Sequence, residues 1–155
     1  MPVDRAAIEA FLAEPRLLVL TANRNGKEPY AGPVWYEYRD GRFFITTGLN
    51  NAKTRLVQRN PAVTLCIQQE AWPYKAILVR GNALVRPDRD ADLLRRISVR
   101  YLGRPAGNDY ADFNLAETTE EDGATIVVTP SAWCAWDYAD GWHPDVIWVP
   151  DTEFR

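Results

Sequence analysis

The chain has 155 residues, of which 46% are hydrophobic and 25% charged, a composition typical of one globular domain with a sizeable core. Its 18 basic and 21 acidic side chains give a net charge of −3, which argues against general nucleic-acid binding. A metal site is not expected, because there is one histidine and the two cysteines, Cys66 and Cys134, lie far apart. We expect both cysteines to be buried thiols. We also expect a cytoplasmic location, since no apolar run could span a membrane and the first residues lack the order of a signal peptide.

The N-terminal part of the chain contains the signals of one helix and three strands. Asp4 is placed to cap a helix over residues 4–13, whose apolar side chains recur at helical spacing. Three apolar, aromatic or β-branched segments follow and predict a meander of three strands: 17–22, 29–38 and 43–47. Turn signals at Asn25-Gly26 and Asp40-Gly41 separate these strands. Pro33 lies inside the second strand and predicts a bulge or a sheet edge there.

Residues 43–61 predict a strand, a tight turn and a short helix that ends at Asn60-Pro61. Lys53 and Arg55 lie in or near the first turn of this helix, where the macrodipole disfavours cations. That cost disappears if an anion lies over the exposed N–H groups. Hydrogen-bonding side chains surround the same point: Thr46, Thr47, Asn50 and Asn51. We interpret the cluster as a phosphate site, although these residues alone fit a solvated basic turn equally well.

The rest of the chain predicts further strands over 62–68, 75–85, 125–129 and 132–138. Gly81 predicts a bend or bulge in the second of these. Pro87-Asp88 begins a predicted helix that ends at Gly103, and residues 104–122 predict a polar loop with room for a short helix. An irregular tail is expected from Asp140 onward. The predicted fold class is β-rich α+β, with six to seven antiparallel strands closing into a small barrel.

Several segments carry a resemblance through their order and spacing over residues 8–138: Gly32-Pro33-Val34-Trp35-Tyr36, Phe44-Ile45-Thr46-Thr47, Lys53-Thr54-Arg55, Asn60-Pro61-Ala62-Val63, Pro73-Tyr74-Lys75, Val79-Arg80-Gly81-Asn82-Ala83 and Arg100-Tyr101-Leu102-Gly103. Together they resemble the pyridoxamine-phosphate-oxidase-like family, the flavin-binding split β-barrels. The resemblance implies one split-barrel domain over residues 1–155, with a helix over 4–13, the barrel over 16–138 and a tail over 139–155. It also implies a homodimer with two cofactor sites at the subunit interface, for FMN or for the deazaflavin coenzyme (F-420).

The resemblance also implies which residues bind the cofactor: Pro33, Val34, Trp35, Thr46, Thr47, Asn51, Lys53, Arg55, Tyr74, Lys75 and Ala76. The phosphate-binding lysine of the family falls on Lys53, beside strand residues 46–47. Residues 33–35 would lay their backbone along the flavin ring, and residues 74–76 would reach in from the partner chain. In the oxidase branch an arginine directly precedes the lysine, and here Ala52 occupies that place.

No serine–histidine or paired-carboxylate arrangement indicates hydrolysis, so no catalytic side chain is expected. His143, in the turn Trp142-His143-Pro144, is interpreted as a surface or interface residue. The expected function is that of an FMN-dependent oxidoreductase that transfers hydride or electrons to or from a small organic substrate. A deazaflavin-dependent reductase is the alternative. A non-enzymatic flavin- or heme-binding protein is the alternative from another class.

Overall fold

The computed structural model describes residues 4–140 and 147–154 and has an antiparallel sheet at its centre. The strands are β1 (Leu18–Ala22), β2 (Tyr30–Val34), β3 (Glu37–Arg39), β4 (Arg42–Gly48), β5 (Ala62–Gln69), β6 (Lys75–Pro87), β7 (Gly123–Asp137) and β8 (Val149–Pro150). The helices are α1 (Arg5–Ala13), α2 (Ala52–Arg59), α3 (Ala91–Leu102) and α4 (Ala106–Glu117).

The sheet is curled, which follows from the position of its two end strands: they are consecutive in sequence. The strand order is β2-β1-β5-β6-β7-β4-β3, with β8 added onto β7. β2 and β3 therefore lie at opposite ends of the sheet although only Trp35 and Tyr36 separate them. The result is an antiparallel half-barrel with peripheral helices, which confirms the predicted α+β split-barrel class.

The second predicted strand, 29–38, is divided in the structure. Its first part, β2, pairs with β1, where Pro33 lies opposite Val19. Its second part, β3, pairs with β4 instead. The predicted three-strand meander is therefore wrong, since no single strand pairs with both neighbours. Pro33 does lie on an edge strand, as predicted, where a missing N–H group is tolerated.

The two longest strands, β6 and β7, pair with each other through a β-bulge. The bulge lies where the sequence predicted a gap between two strands. Gly81 lies opposite Pro130 and Arg80 lies opposite Ala132, so Ser131 is one extra residue on β7. The bulge at Gly81 is thus confirmed. The prediction of two separate strands over 125–129 and 132–138 is wrong, because the bulge accommodates Pro130 within one continuous strand.

The helices at each end of the barrel follow most of the predicted boundaries. Asp4 caps α1, accepting a hydrogen bond from Ala6 N at 2.8 Å, and α2 begins after Asn51 as expected. α3 ends at Gly103, whose φ of 72° is readily available only to glycine. α4 spans twelve residues of the segment that was predicted as a polar loop with room for a short helix, so the helix is longer than expected. The reason is that α4 packs on α3 through small residues, which give no apolar periodicity.

The barrel interior is filled by large apolar side chains from both halves of the sheet. The bulkiest fully buried ones are Trp133, Tyr36, Phe43, Ile8, Leu12, Leu18, Leu20, Ile45, Leu65, Ile67 and Ile77. α1 closes one end of this core with Ile8 and Leu12. A second, smaller cluster lies outside the barrel, where Phe44 and Val127 contact α3. This outer cluster fixes α3 beside β4, next to the cleft described below.

The described C-terminal residues, 147–154, are more ordered than the predicted irregular tail. β8 pairs with β7, and the Phe154 ring stacks on Trp133 with centroids 4.4 Å apart. Trp133 Nε1 also donates to Asp151 Oδ1 at 2.9 Å. The tail therefore covers one end of the barrel. The turn Trp142-His143-Pro144 lies outside the described residues.

The two cysteines are free thiols, as predicted. Cys66 is half-buried in β5 and Cys134 is buried in β7, and burial raises the pKa of each thiol. In the part of the chain that the structure describes, no helix combines the length and the hydropathy needed to cross a membrane.

Candidate functional site

A cleft of about 450 Å³ opens where the end of β2, the end of β4 and the start of α2 meet the α3–α4 pair. Residues that the sequence assigned to cofactor binding line it together: Pro33, Val34, Trp35, Thr46, Thr47 and Lys53. They come from three elements that are separated in sequence. The curl of the sheet brings them to one place, and their binding role stays a prediction.

The other predicted site residues lie elsewhere. Asn51 borders the cleft through Thr47, whose Oγ1 accepts a hydrogen bond from Asn51 Nδ2 at 3.3 Å. Arg55 lies on α2, but it is exposed and does not line the cleft. A separate pocket of about 300 Å³ contains the three residues that the resemblance assigns to the partner chain: Tyr74, Lys75 and Ala76. There Lys75 Nζ lies 2.9 Å from Asp137 Oδ2.

The polar end of the cleft is the junction between β4 and α2. Thr54 is fully buried, and its Oγ1 donates to the Gly48 carbonyl at 2.8 Å, which fixes the helix start onto the strand. Asn51 occupies the N-cap position, but its side chain makes no capping hydrogen bond. That side chain is directed to Thr47 instead. The first-turn N–H groups of α2 are thus not capped by Asn51, which leaves donors for an anion.

Lys53 is the cation at this junction. It is half-buried, and burial lowers the pKa of its ammonium. Within residues 4–140 and 147–154, no carboxylate lies within 4.0 Å of Lys53 Nζ and no side-chain hydrogen bond involves it. A cation that is partly removed from water without a counter-charge is unfavourable. Binding of an anion beside Lys53 would therefore be favourable.

An aromatic wall forms the other end of the cleft. The Trp35 ring stacks on Tyr101, with centroids 4.9 Å apart and planes 4° from parallel. The Trp35 ring also packs against the Tyr110 ring, with the two ring centroids 5.5 Å apart. Tyr101 is held in turn, because its OH donates to the Arg16 carbonyl at 2.6 Å and accepts from Tyr36 N at 3.2 Å. This rigid, flat surface suits a planar ring better than a flexible chain.

The third side of the cleft comes from residues that the sequence analysis missed. They are Leu17, Gly48, Arg89, Leu94, Tyr110, Asn114, Thr118, Asp122 and Gly123. Tyr110, Asn114 and Thr118 are four residues apart, which places them on one helical face. If this segment had been recognised as a helix, the spacing would have indicated that these three side chains line one wall of a site. The sequence predicted a polar loop with room for a short helix there, and these residues were not assigned to a helical face.

Comparison with known families identifies the family of this chain. The profile of the pyridoxamine 5′-phosphate oxidase family matches residues 5–137, which is most of the chain. The chain belongs to this family. The family match covers the sheet, the α2 junction with Lys53 and the α3–α4 pair. No curated protein sequence matches the chain significantly.

Solved structures show the same family fold. An F420 reductase is 24% identical, with a TM-score of 0.64 over 81% of this chain and 94% of the other. An FAD-binding protein from Mesorhizobium loti is 18% identical, with a TM-score of 0.57 over 84% of this chain and 90% of the other. A conserved hypothetical protein from Mycobacterium tuberculosis is 17% identical, with a TM-score of 0.70 over 96% and 94%. At these identities the similarity establishes the family fold alone.

Proposed function

We propose that this member of the family is a flavin-dependent oxidoreductase that holds FMN in the cleft and transfers hydride or electrons to or from a small organic substrate. The observation that carries the proposal is Lys53, a half-buried cation that has no carboxylate partner in the described chain. A bound phosphate would supply the missing negative charge. The hydroxyls of Thr46 and Thr47 line the same cleft and are suited to donate to phosphate oxygens.

The remaining cleft residues fit a planar ring. Pro33, Val34 and Trp35 lie where β2 ends, so the backbone from Trp35 onward has left the ladder with β1. The stacked Trp35 and Tyr101 rings exclude water from that side. FMN, when bound, supplies reversible two-electron chemistry. The protein residues bind its phosphate, orient its ring and limit solvent access.

We further propose that the protein acts as a homodimer whose second subunit completes the cleft. The cleft of one chain is open, and the predicted partner residues 74–76 lie in a different pocket of the same chain. Next to them is an exposed aromatic cluster in which Trp72 is 70% exposed and Tyr74 is 49% exposed. Their rings pack edge to face, with centroids 5.3 Å apart. A surface of this kind is suited to contact a second protein or a ring in a neighbouring site.

The first test is the absorbance spectrum of the purified protein, followed by titration with FMN and with riboflavin, which lacks the phosphate. We expect FMN to bind more tightly than riboflavin. Lys53→Ala should weaken FMN binding by about 1.5–3 kcal/mol, the value of a charge-assisted hydrogen bond, with little effect on riboflavin. Arg59→Ala is the matched control, because Arg59 is an exposed cation on the same helix outside the cleft. Unchanged FMN affinity in Lys53→Ala would contradict the phosphate assignment.

A deazaflavin-dependent reductase is the second candidate. One structural neighbour is named an F420 reductase, and Arg55 is exposed on α2 just outside the cleft. The longer anionic tail of the deazaflavin coenzyme would meet Arg55 on leaving the cleft. Titration with both cofactors separates the two candidates. Binding of the deazaflavin coenzyme alone would replace FMN in the proposal, and binding of neither would refute the oxidoreductase function.

A further inference from the structure

A second cation, Arg89, lines the same cleft as Lys53 but comes from a different element of the fold. It lies in the short connection between β6 and α3. Its backbone approaches β7 so closely that a Cβ added at Gly123 would lie 2.5 Å from Arg89 Cβ. Gly123 is paired with Gly48, the last residue of β4, which directly follows Thr47. Arg89 is therefore anchored beside the polar end of the cleft.

The hydrogen bonds of the Arg89 guanidinium all go to neutral groups. Its Nη1 donates to Thr118 Oγ1 at 2.7 Å, to the Thr118 carbonyl at 2.6 Å and to the Leu115 carbonyl at 3.3 Å. Its Nε is buried and has no hydrogen-bond partner within the described residues. No carboxylate in that part of the chain lies within 4.0 Å of it. Arg89 thus brings to the cleft a positive charge with no ion pair within 4.0 Å, and its Nη2 makes no hydrogen bond in the described chain.

Arg89 decides the sign of the charge in the cleft. The charged residues that line the cleft are Lys53, Arg89 and Asp122, which sum to +1. Without Arg89 the sum would be zero. Asp122 contributes a stable negative charge, because hydrogen bonds from Thr119 N at 2.8 Å and Thr119 Oγ1 at 2.9 Å, together with the charge of Arg89, lower its pKa. A dianionic phosphate would therefore gain little net attraction from Lys53 alone.

We propose that Arg89 is the second phosphate-binding cation of this cleft, and that it supplies from the β6–α3 connection the charge that is missing at Ala52. The proposal rests on the proposed function, because it concerns the same phosphate. The new element is a second residue, Arg89, that binds this phosphate from another part of the chain than Lys53. Lys53 lies on α2 and Arg89 in the β6–α3 connection, so the two cations would reach the same anion from different elements.

The test compares FMN with riboflavin in three proteins by fluorescence titration. The proteins are the unmodified chain, Arg89→Gln and Arg95→Gln. Arg95 is the matched control, because it lies on α3 and also hydrogen-bonds to α4, through Asn108 and Asp112, but does not line the cleft. Arg89→Gln should lower the preference for FMN over riboflavin about five- to tenfold, as expected for a partly exposed charge-assisted contact, whereas Arg95→Gln should leave it unchanged.

Further variants separate phosphate binding from packing. Arg89→Lys keeps the charge and should recover part of the FMN preference that Arg89→Gln loses. Equal losses in both variants, or equal losses for FMN and riboflavin, would show that Arg89 only packs α4 and would overturn the inference. If Arg89→Gln does not fold, Arg89→Met replaces it with the same expected loss. FMN binding that depends on Lys53 but not on Arg89 would refute this inference alone, whereas no FMN binding to the unmodified chain would refute the proposed function.

Discussion

Lys53 shows how a single residue can be unfavourable for the folded chain and useful for a ligand. Its ammonium loses water without gaining a carboxylate partner in the described structure. Its position could be predicted from sequence, because a cation in the first turn of a helix is locally unfavourable without an anion. Arg89 could not be predicted in this way. Its place depends on the pairing of Gly48 with Gly123 and on the contact of Gly123 with Arg89, neither of which is local.

The lowered pKa of Lys53 predicts a pH dependence. Between that pKa and 10.5 the unfolded chain binds more protons than the folded chain, so the ligand-free protein should gain stability as the pH rises through this window. A bound phosphate favours the charged ammonium and raises its pKa. The FMN-to-riboflavin affinity ratio should therefore fall as the pH rises through the pKa of Lys53. The ratio is used because the ring titrates identically in both ligands.

The measurement is a fluorescence titration of both ligands from neutral pH to about pH 10, just below the ordinary range of lysine. Lys53→Met is the control, because it keeps an unbranched side chain that is only one atom shorter and removes the titrating group. In this variant the ratio should be small and independent of pH. A ratio that falls equally in both proteins would assign the pH dependence to another group.

At the scale of elements, α4 is the helix whose length was most underestimated from the sequence, which predicted only room for a short helix in residues 104–122. A helix is usually recognised by large apolar residues at helical spacing, and α4 lacks them on its packed face. It contacts α3 through Gly107 and Ala111, which are buried, whereas Tyr110 and Phe113 are exposed. Close approach of two backbones replaces the apolar stripe here. The strands were easier to predict, because alternation and turn residues such as Asn25-Gly26 are local signals.

The close contact of α3 and α4 predicts the effect of a single methyl group. A Cβ at Gly107 would lie 2.4 Å from Val99 Cα and 2.6 Å from the Ser98 carbonyl oxygen. These are backbone atoms, which cannot move cheaply. Gly107→Ala should therefore destabilise the protein by about 1–3 kcal/mol, as overpacking does, although alanine is the better helix former by about 1 kcal/mol.

Urea unfolding gives the free energies for this comparison. Ala116→Gly is the calibrating variant, because Ala116 is exposed on the same helix and reports helix propensity alone. Its expected cost is about 0.5–1 kcal/mol. If Gly107→Ala stabilises the protein by a similar amount, the helices can separate and the cleft wall formed by α4 is less rigid than we infer.

In the whole molecule, the site depends on how the sheet curls, and for this reason the sequence predicted only part of it. The sequence resemblance placed residues 33–35, 46–47 and Lys53 near one cofactor, and the structure brings them together in one cleft. This happens because the sheet curls until its end strands β2 and β3 are joined through Trp35 and Tyr36. The curl depends on long-range pairings such as β4 with β7, which no local pattern encodes. The predicted partner residues 74–76 lie apart from this cleft in the same chain.

This separation leads to a prediction about the assembled molecule. If a second copy completes each cleft, Lys53 of one chain and Tyr74 of the other serve the same site. Lys53→Ala and Tyr74→Ala should then each weaken FMN binding in both sites of their own dimer. Tyr74 is chosen because it is half-exposed and neutral. Removal of the neighbouring Lys75 would instead leave Asp137 without its ion-pair partner.

Mixing the two variant chains tests whether the residues belong to different subunits. When equal amounts are refolded together, about half of the dimers contain one chain of each kind, and each of these has one intact site and one doubly altered site. About a quarter of all sites should therefore regain the unmodified affinity, measured as the fraction of high-affinity FMN binding. Light scattering of each variant should give the mass of a dimer. A mixture without high-affinity sites, from chains that do form mixed dimers, would show that Lys53 and Tyr74 do not share a site across the interface.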